Sequence, residues 1–267
     1  MPAGYPGYAP PRRQSRSGLL IAIAALIALL ALGGVAAGVV FVGLRAGTKH
    51  QPSAAGPLTA STAVKANRGT VVYSDDFTDS TSGWTTETLP SGTTFAYSAN
   101  GYVIVAKGTL DHFATAPYER PVQQVAISVT ASQSDDAPLG AGYGVSCWRG
   151  KDATELRYDF MITTAGDWVV ERRDGGFATK PLVLKRGTAT VTLSSTPLVV
   201  EGMCATLADL QTTRLLLFAG AQKLADLTDT TPVLPDAGWL SDLIVTSDQV
   251  HPSIVTATRF EVRDLSL

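Results

Sequence analysis

The chain has 267 residues, with 21 Lys or Arg against 23 Asp or Glu and a formal net charge of −2. That near-neutrality joins unlike parts: residues 1 to 69 hold seven bases (Arg12, Arg13, Arg16, Arg45, Lys49, Lys65, Arg68) and no acid, so the remainder has fourteen bases against 23 acids (14 − 23 = −9). So acidic a remainder argues against nucleic acid, whose phosphates need a surplus of Lys and Arg, and against lying flat on an anionic membrane.

In chain order, residues 1 to 17 (MPAGYPGYAPPRRQSRS) are rich in Pro, Gly and Tyr and lack apolar periodicity, which predicts a disordered cytoplasmic tail. Gly18 to Leu44 then runs without a charged or strongly polar residue. As a helix it would reach about 40 Å, against a hydrocarbon layer of roughly 30 Å, so a tilted transmembrane helix is expected. A cleaved signal peptide is the competing reading, but its apolar stretch is normally about 7 to 15 residues. Arg12, Arg13 and Arg16 precede the helix while Arg45 and Lys49 follow it, a bias toward a cytoplasmic N-terminus and an extracytoplasmic C-terminal domain. Residues 45 to 69 are rich in Ala, Ser, Thr, Gly and Pro, which marks a flexible linker with a root-mean-square span of roughly 27 Å.

From residue 70 the pattern changes to short alternating runs separated by Gly, Pro, Asp and Asn. Strands are predicted over 70–77, 101–107, 122–131, 142–149, 155–163, 167–173, 188–193, 197–204, 213–220, 222–229, 239–247 and 254–267. No window keeps a 3.6-residue apolar period, so residues 70 to 267 are read as an all-β domain, an antiparallel two-sheet sandwich. TTAGDW (163–168) and RRDGGF (172–177) place Gly where hairpins need positive φ, making the strands around DWVVERR a meander. Cys147 and Cys204 both fall in strands and suffice for one bridge in an oxidising compartment. Such a bridge contributes about 4 kcal/mol on chain-entropy grounds. Two buried free thiols are the alternative, whereas a metal site lacks any CxxC or His cluster.

The order YSDDFTDSTSGW, NGYVIV, GYGVSCWR, ELRYDFMITTAGDWVVERR, EGMC, RLLLFAGAQKLADLTD, GWLSDLIVTS and RFEVRDL resembles the laminin-G-like, concanavalin-like jelly-roll domains of bacterial membrane proteins, including the 3-keto-disaccharide hydrolase-like family. The resemblance covers residues 71 to 267, and Phe77, Trp84, Cys147, Tyr158, Phe160, Cys204, Phe260 and Val262 occupy the recurrent places. It implies a jelly-roll fold and, more distantly, a carbohydrate-active hydrolase. Ala219, Gly220 and Ala221 replace the Asn-Gly hairpin usual in that pattern, and Thr230 to Ala237 holds two prolines.

Chemistry is sparse. Glu155 and Asp159 share a strand face at about 13 Å, beyond the roughly 5 to 9.5 Å of glycosidase carboxylates, and are expected to be exposed charges beside Arg157. Of the three His residues, His50 lies in the linker, so a Ser-His-Asp triad would need His112 or His251, and no Gly-x-Ser-x-Gly elbow occurs. Asp75, Asp76 and Asp79 are close in sequence but lack the rest of an EF-type loop, which leaves a calcium ligand set or a solvated Asx turn. Trp84, Trp168 and Trp239 are expected in or near the core. Trp148 points opposite Cys147 on its strand, and if the cysteine is inward it is the one candidate ligand-binding residue.

With no catalytic constellation, metal or cofactor expected, the sequence favours a membrane-anchored extracytoplasmic binding or sensing module for an envelope glycan or protein. A hydrolase of the 3-keto-disaccharide type and a structural partner in a membrane complex are the alternatives.

Overall fold

The computed structural model describes residues 69–118, 120–150, 155–175, 179–207, 211–231, 238–247 and 251–266. The expected tail, transmembrane helix (18–44) and linker, apart from Gly69, lie outside them. The described residues contain no helix, and hence none long and apolar enough to cross a membrane.

Fifteen strands form among the described residues. In chain order they are β1 (Thr70–Asp75), β2 (Glu87–Thr88), β3 (Thr94–Ser98), β4 (Gly101–Ala106), β5 (His112–Thr115), β6 (Gln124–Gln133), β7 (Gly142–Arg149) and β8 (Leu156–Thr163). Then follow β9 (Asp167–Asp174), β10 (Leu182–Thr188), β11 (Leu198–Thr206), β12 (Thr213–Ala219), β13 (Gln222–Asp229), β14 (Leu240–Thr246) and β15 (Ser253–Asp264). One nine-stranded sheet runs β13-β12-β11-β6-β15-β4-β3-β2, with β1 also pairing β15; a six-stranded sheet runs β10-β9-β8-β7-β14-β5. The strand pairings are antiparallel, in keeping with the absence of crossover helices among the described residues.

The inward residues of the two sheets form one core. At one end Trp84 packs edge-on to Phe77 (5.2 Å between centroids) and Phe260 (4.9 Å), while Phe77 stacks on Tyr102 at 5.4 Å. Toward the middle, a disulfide joins Cys147 on β7 to Cys204 on β11, with Cα atoms 6.5 Å apart, and so staples sheet to sheet. Gly202 permits this close approach, because a Cβ there would lie 2.5 Å from the Phe160 ring of the opposite sheet. The anticipated meander around DWVVERR is present as β8-β9-β10, with Gly166 (φ 80°) and Gly175 (φ 86°) turning its hairpins, and β7 extends it.

Some expected strands are corrected. TATVTL (188–193) belongs to β10 only at Thr188; beyond it the chain forms no strand, although Ala189 N donates to Gly166 O at 2.8 Å, Leu193 is buried and Val191 packs on the core. The strand there is β10, whose Leu182 and Val183 are 51% and 45% exposed, an edge strand with apolar residues turned outward. Strands β2, β3 and β5 are short additions at sheet edges.

Candidate functional site

Strand alternation sets what the outer face of the six-stranded sheet displays. On β7, Tyr143, Val145 and Cys147 join the core, which turns Ser146 and Trp148 outward. Register then aligns two cross-strand rows on that face. One runs Val183, Glu171, Asp159, Ser146, Asp242, Thr115, and the next Arg173, Arg157, Trp148, Leu240.

The charged and polar groups of these rows form an ionic network in two adjoining parts, one around Arg173 and one around Arg157. Ser146 Oγ donates to Asp159 Oδ1 at 2.6 Å, and Arg173 Nε donates to Asp159 Oδ2 at 2.8 Å. Arg173 Nη2 also binds Asp111, just before β5, and lies 3.9 Å from Glu171 Oε2. Arg157 Nε donates to Glu155 Oε1 at 3.0 Å, and its Nη1 pairs with Asp242. Trp148 Nε1 donates to Asp242 Oδ1 at 3.0 Å. The Arg157 guanidinium sits 4.4 Å from the Phe113 ring centroid and 5.5 Å from that of Trp148, a cation held among two aromatics.

The expectation that Glu155 and Asp159 are exposed charges is therefore corrected: both are buried, as are Arg157, Arg173 and Asp242. Burying ions is unfavourable unless each is paired and hydrogen-bonded, so such a network fixes geometry more than it adds stability. Burial is the largest influence on Asp159 and raises its pKa, with Arg157, Ser146 and Arg173 opposing. Glu171 is pushed up to about 7 by burial and then by the Asp111 and Asp159 carboxylates, while Arg173 opposes. Three carboxylates thus share one guanidinium.

Two cavities flank the network. One of about 650 Å³ opens beside Asp111 and Phe113 and is lined also by Leu89, Pro90, Phe95 and Leu110. The other, about 520 Å³, is bounded by Glu171, Thr163, Asp167, Trp168, Arg186 and Thr188. His112 lines the first but serves the fold: its Nε2 lies 3.0 Å from Lys107 O and 3.1 Å from Thr93 Oγ1. A carbonyl only accepts, so that nitrogen carries the proton and is not free to act as a base.

The other sequence candidates have defined places. Trp84, Trp168 and Trp239 are buried, and Trp148 is half-buried on the outer face, opposite the bridged Cys147. Asp75 accepts from Phe77 N (2.7 Å), Ser82 Oγ (2.5 Å), Trp84 Nε1 (3.0 Å) and Tyr73 OH (3.2 Å), while Asp76 and Asp79 cap Thr78 and Thr81. Asp75 knots the opening strand to the core, and no cluster of three or more His, Cys, Asp or Glu suited to a metal occurs among the described residues. The residues that sequence reasoning missed are Asp111, Phe113, Glu171, Arg173 and Asp242. Their signal is the alternation Glu155-x-Arg157-x-Asp159 on a strand otherwise apolar.

No protein-family model matches the chain, and no curated protein matches it. Solved structures do. The carbohydrate recognition domain of Emp46p, in its potassium-bound form, is similar with a TM-score of 0.51 and 10% identity over 73% of this chain and 94% of that one. A Bacillus subtilis protein of unknown function with a galectin-like fold gives 0.53 and 8% over 74% and 97%. At such identities the likeness concerns architecture alone. The fold that the chain shares with them is an antiparallel two-sheet β-sandwich.

Proposed function

We propose that this protein is a membrane-anchored, extracytoplasmic module that binds a cell-envelope glycan on the outer face of its six-stranded sheet. The observation that carries this reading is the cavity of about 650 Å³ in which Asp111, pinned by Arg173, stands beside the Phe113 ring and mostly apolar walls. Sugar recognition needs fixed acceptors for hydroxyls and an apolar surface for the ring's C–H face, and a carboxylate held by a guanidinium is such an acceptor, already oriented. Trp148 braces Arg157 and Asp242 and leaves part of its ring for a ligand lying along the sheet. The architecture shared with a carbohydrate recognition domain supports the reading, and the acid-free, apolar segment 18–44 supports the anchor.

Binding of the full chain, in neutral detergent, to an array of neutral and charged oligosaccharides tests the proposal. The wild type should retain a defined subset, and Asp111→Asn or Phe113→Ala should weaken retention at least tenfold. A wild type that binds no sugar above background removes the glycan reading. One observation favours the hydrolase as a second reading: Asp111 and Glu171 both face Arg173 Nη2, and Glu171 lies near 7, where general acids work. Cleavage of 3-keto-disaccharides by the wild type, lost in Glu171→Gln, would establish it; no cleavage by the wild type discards it.

A further inference from the structure

The outer face of the nine-stranded sheet carries a polar feature that glycan binding leaves unused. Alternation on β6 turns Ser128 and Thr130 outward, and the flanking strands set larger side chains against them. Glu201 and Val199 on β11 lie on one side, Glu261 and Arg259 on β15 on the other. With strands about 4.8 Å apart, small residues between two rows of large ones leave a trough along the central strand. It encloses a cavity of about 160 Å³.

Its two carboxylates are unequal. Glu261 accepts from Arg259 Nε at 2.7 Å and from Arg263 Nη2 at 2.5 Å, so both guanidiniums are aimed at it. Glu201 is only 5% exposed, lines the cavity, and has neither a hydrogen bond nor an ion pair among the described residues. Its carboxylate opens on the cavity, where water or a ligand supplies the donors that the protein does not. Burial pushes Glu201 up to about 7, with Arg263 opposing and Glu261 adding to the rise. Arg259 completes the charged groups of β15 on this face; β6 presents Ser128 and Thr130, and β12 presents Phe218 beside Glu201.

We infer that this trough is a second binding site, for a primary ammonium group received by Glu201 and the hydroxyls of Ser128 and Thr130. Arg259 and Arg263 also line the cavity but are already engaged by Glu261, so an anion would meet the unengaged Glu201, and an apolar group would leave Glu201 without a donor. A cation bearing N–H groups satisfies both conditions. The cavity equals roughly five water volumes, room for an aminoalkyl tip. Such a tip is presented by the lysine side chain of a partner protein and by a free alkylamine alike.

The chain's three methionines provide the test. Met203 lies two residues from Glu201 on the same face, and Met161 lies on the outer face of the other sheet. The full chain, labelled with ¹³C at the methionine methyls and held in neutral detergent, is titrated with butylammonium chloride at pH 6 and pH 8. At pH 8 the Met203 methyl should move and saturate while that of Met161 stays. Around a pKa of about 7 the ionised fraction falls from about nine-tenths to one-tenth, so affinity should be about tenfold weaker at pH 6. Parallel titration with Nα-acetyl-lysine amide separates the sources: tighter binding than butylammonium points to a protein partner, equal or weaker binding to a small amine. Glu201→Gln should abolish the shift. No Met203 shift at pH 8, an equal shift with 1-butanol, or a shift that persists in Glu201→Gln overturns the inference. None of these outcomes depends on whether sugars bind the opposite face.

Discussion

The two outer faces of the sandwich obey the same alternation yet spend their polar residues differently. On the six-stranded sheet Arg157 and Arg173 are sealed among carboxylates, and their contacts to Asp242, Asp111 and Asp159 lock other segments in place. On the nine-stranded sheet ion pairs reach further into solvent, as with Arg214 and Asp226, whose side chains are 44% and 32% exposed, and the Glu201 carboxylate has no hydrogen bond or ion pair among the described residues. The difference teaches that charge count says little about a face; what matters is whether each charge finds a partner once water is removed.

Substitutions can break or sharpen that contrast. The largest effect is expected for Asp159→Ala, which strips Arg173 and Ser146 of their shared carboxylate in a buried setting. It should cost roughly 3–5 kcal/mol by chemical denaturation, and a cost below about 1 kcal/mol would mean that water reaches the network. A smaller, pH-dependent effect belongs to Glu201. Its pKa is raised in the folded state, so the folded protein holds the proton more tightly than the unfolded chain, and stability is lost as pH rises from the unfolded value of about 4.5 through about 7. Glu201→Gln, which does not titrate, should match the wild type at pH 4 and exceed it by about 1–3 kcal/mol at pH 8. Equal pH slopes in both proteins would show that Glu201 is solvated. The smallest effect should come from Asp226→Ala, within about 1 kcal/mol, because its pair is exposed and screened.

Much of the fold was legible because alternation in strands such as GYGVSCWR and ELRYDFMIT records which side is core. The same alternation placed Trp148 opposite Cys147, as the structure has it. It failed where alternation and burial part company. Leu182 and Val183 are apolar yet exposed on an edge, and Val191 and Leu193 reach the core from a segment outside the strands. The ionic network was half legible. Arg157 and Asp159 had to face away from Tyr158 and Phe160, but nothing local tells that Asp242, 85 residues on, and Arg173 and Asp111, 62 apart, converge on the same spot. Glu201 could be assigned outward, yet its isolation depends on Arg259 and Arg263 both turning to Glu261.

The bond between β7 and β11 has a mechanical consequence. Crossing the interior between the two outer faces, it keeps one sheet from sliding over the other, so the polar surfaces are held back to back like the two sides of a riveted plate. Whatever docks on one side is carried at a fixed offset, about one sheet-to-sheet spacing of 10 Å plus the side chains, from whatever docks on the other.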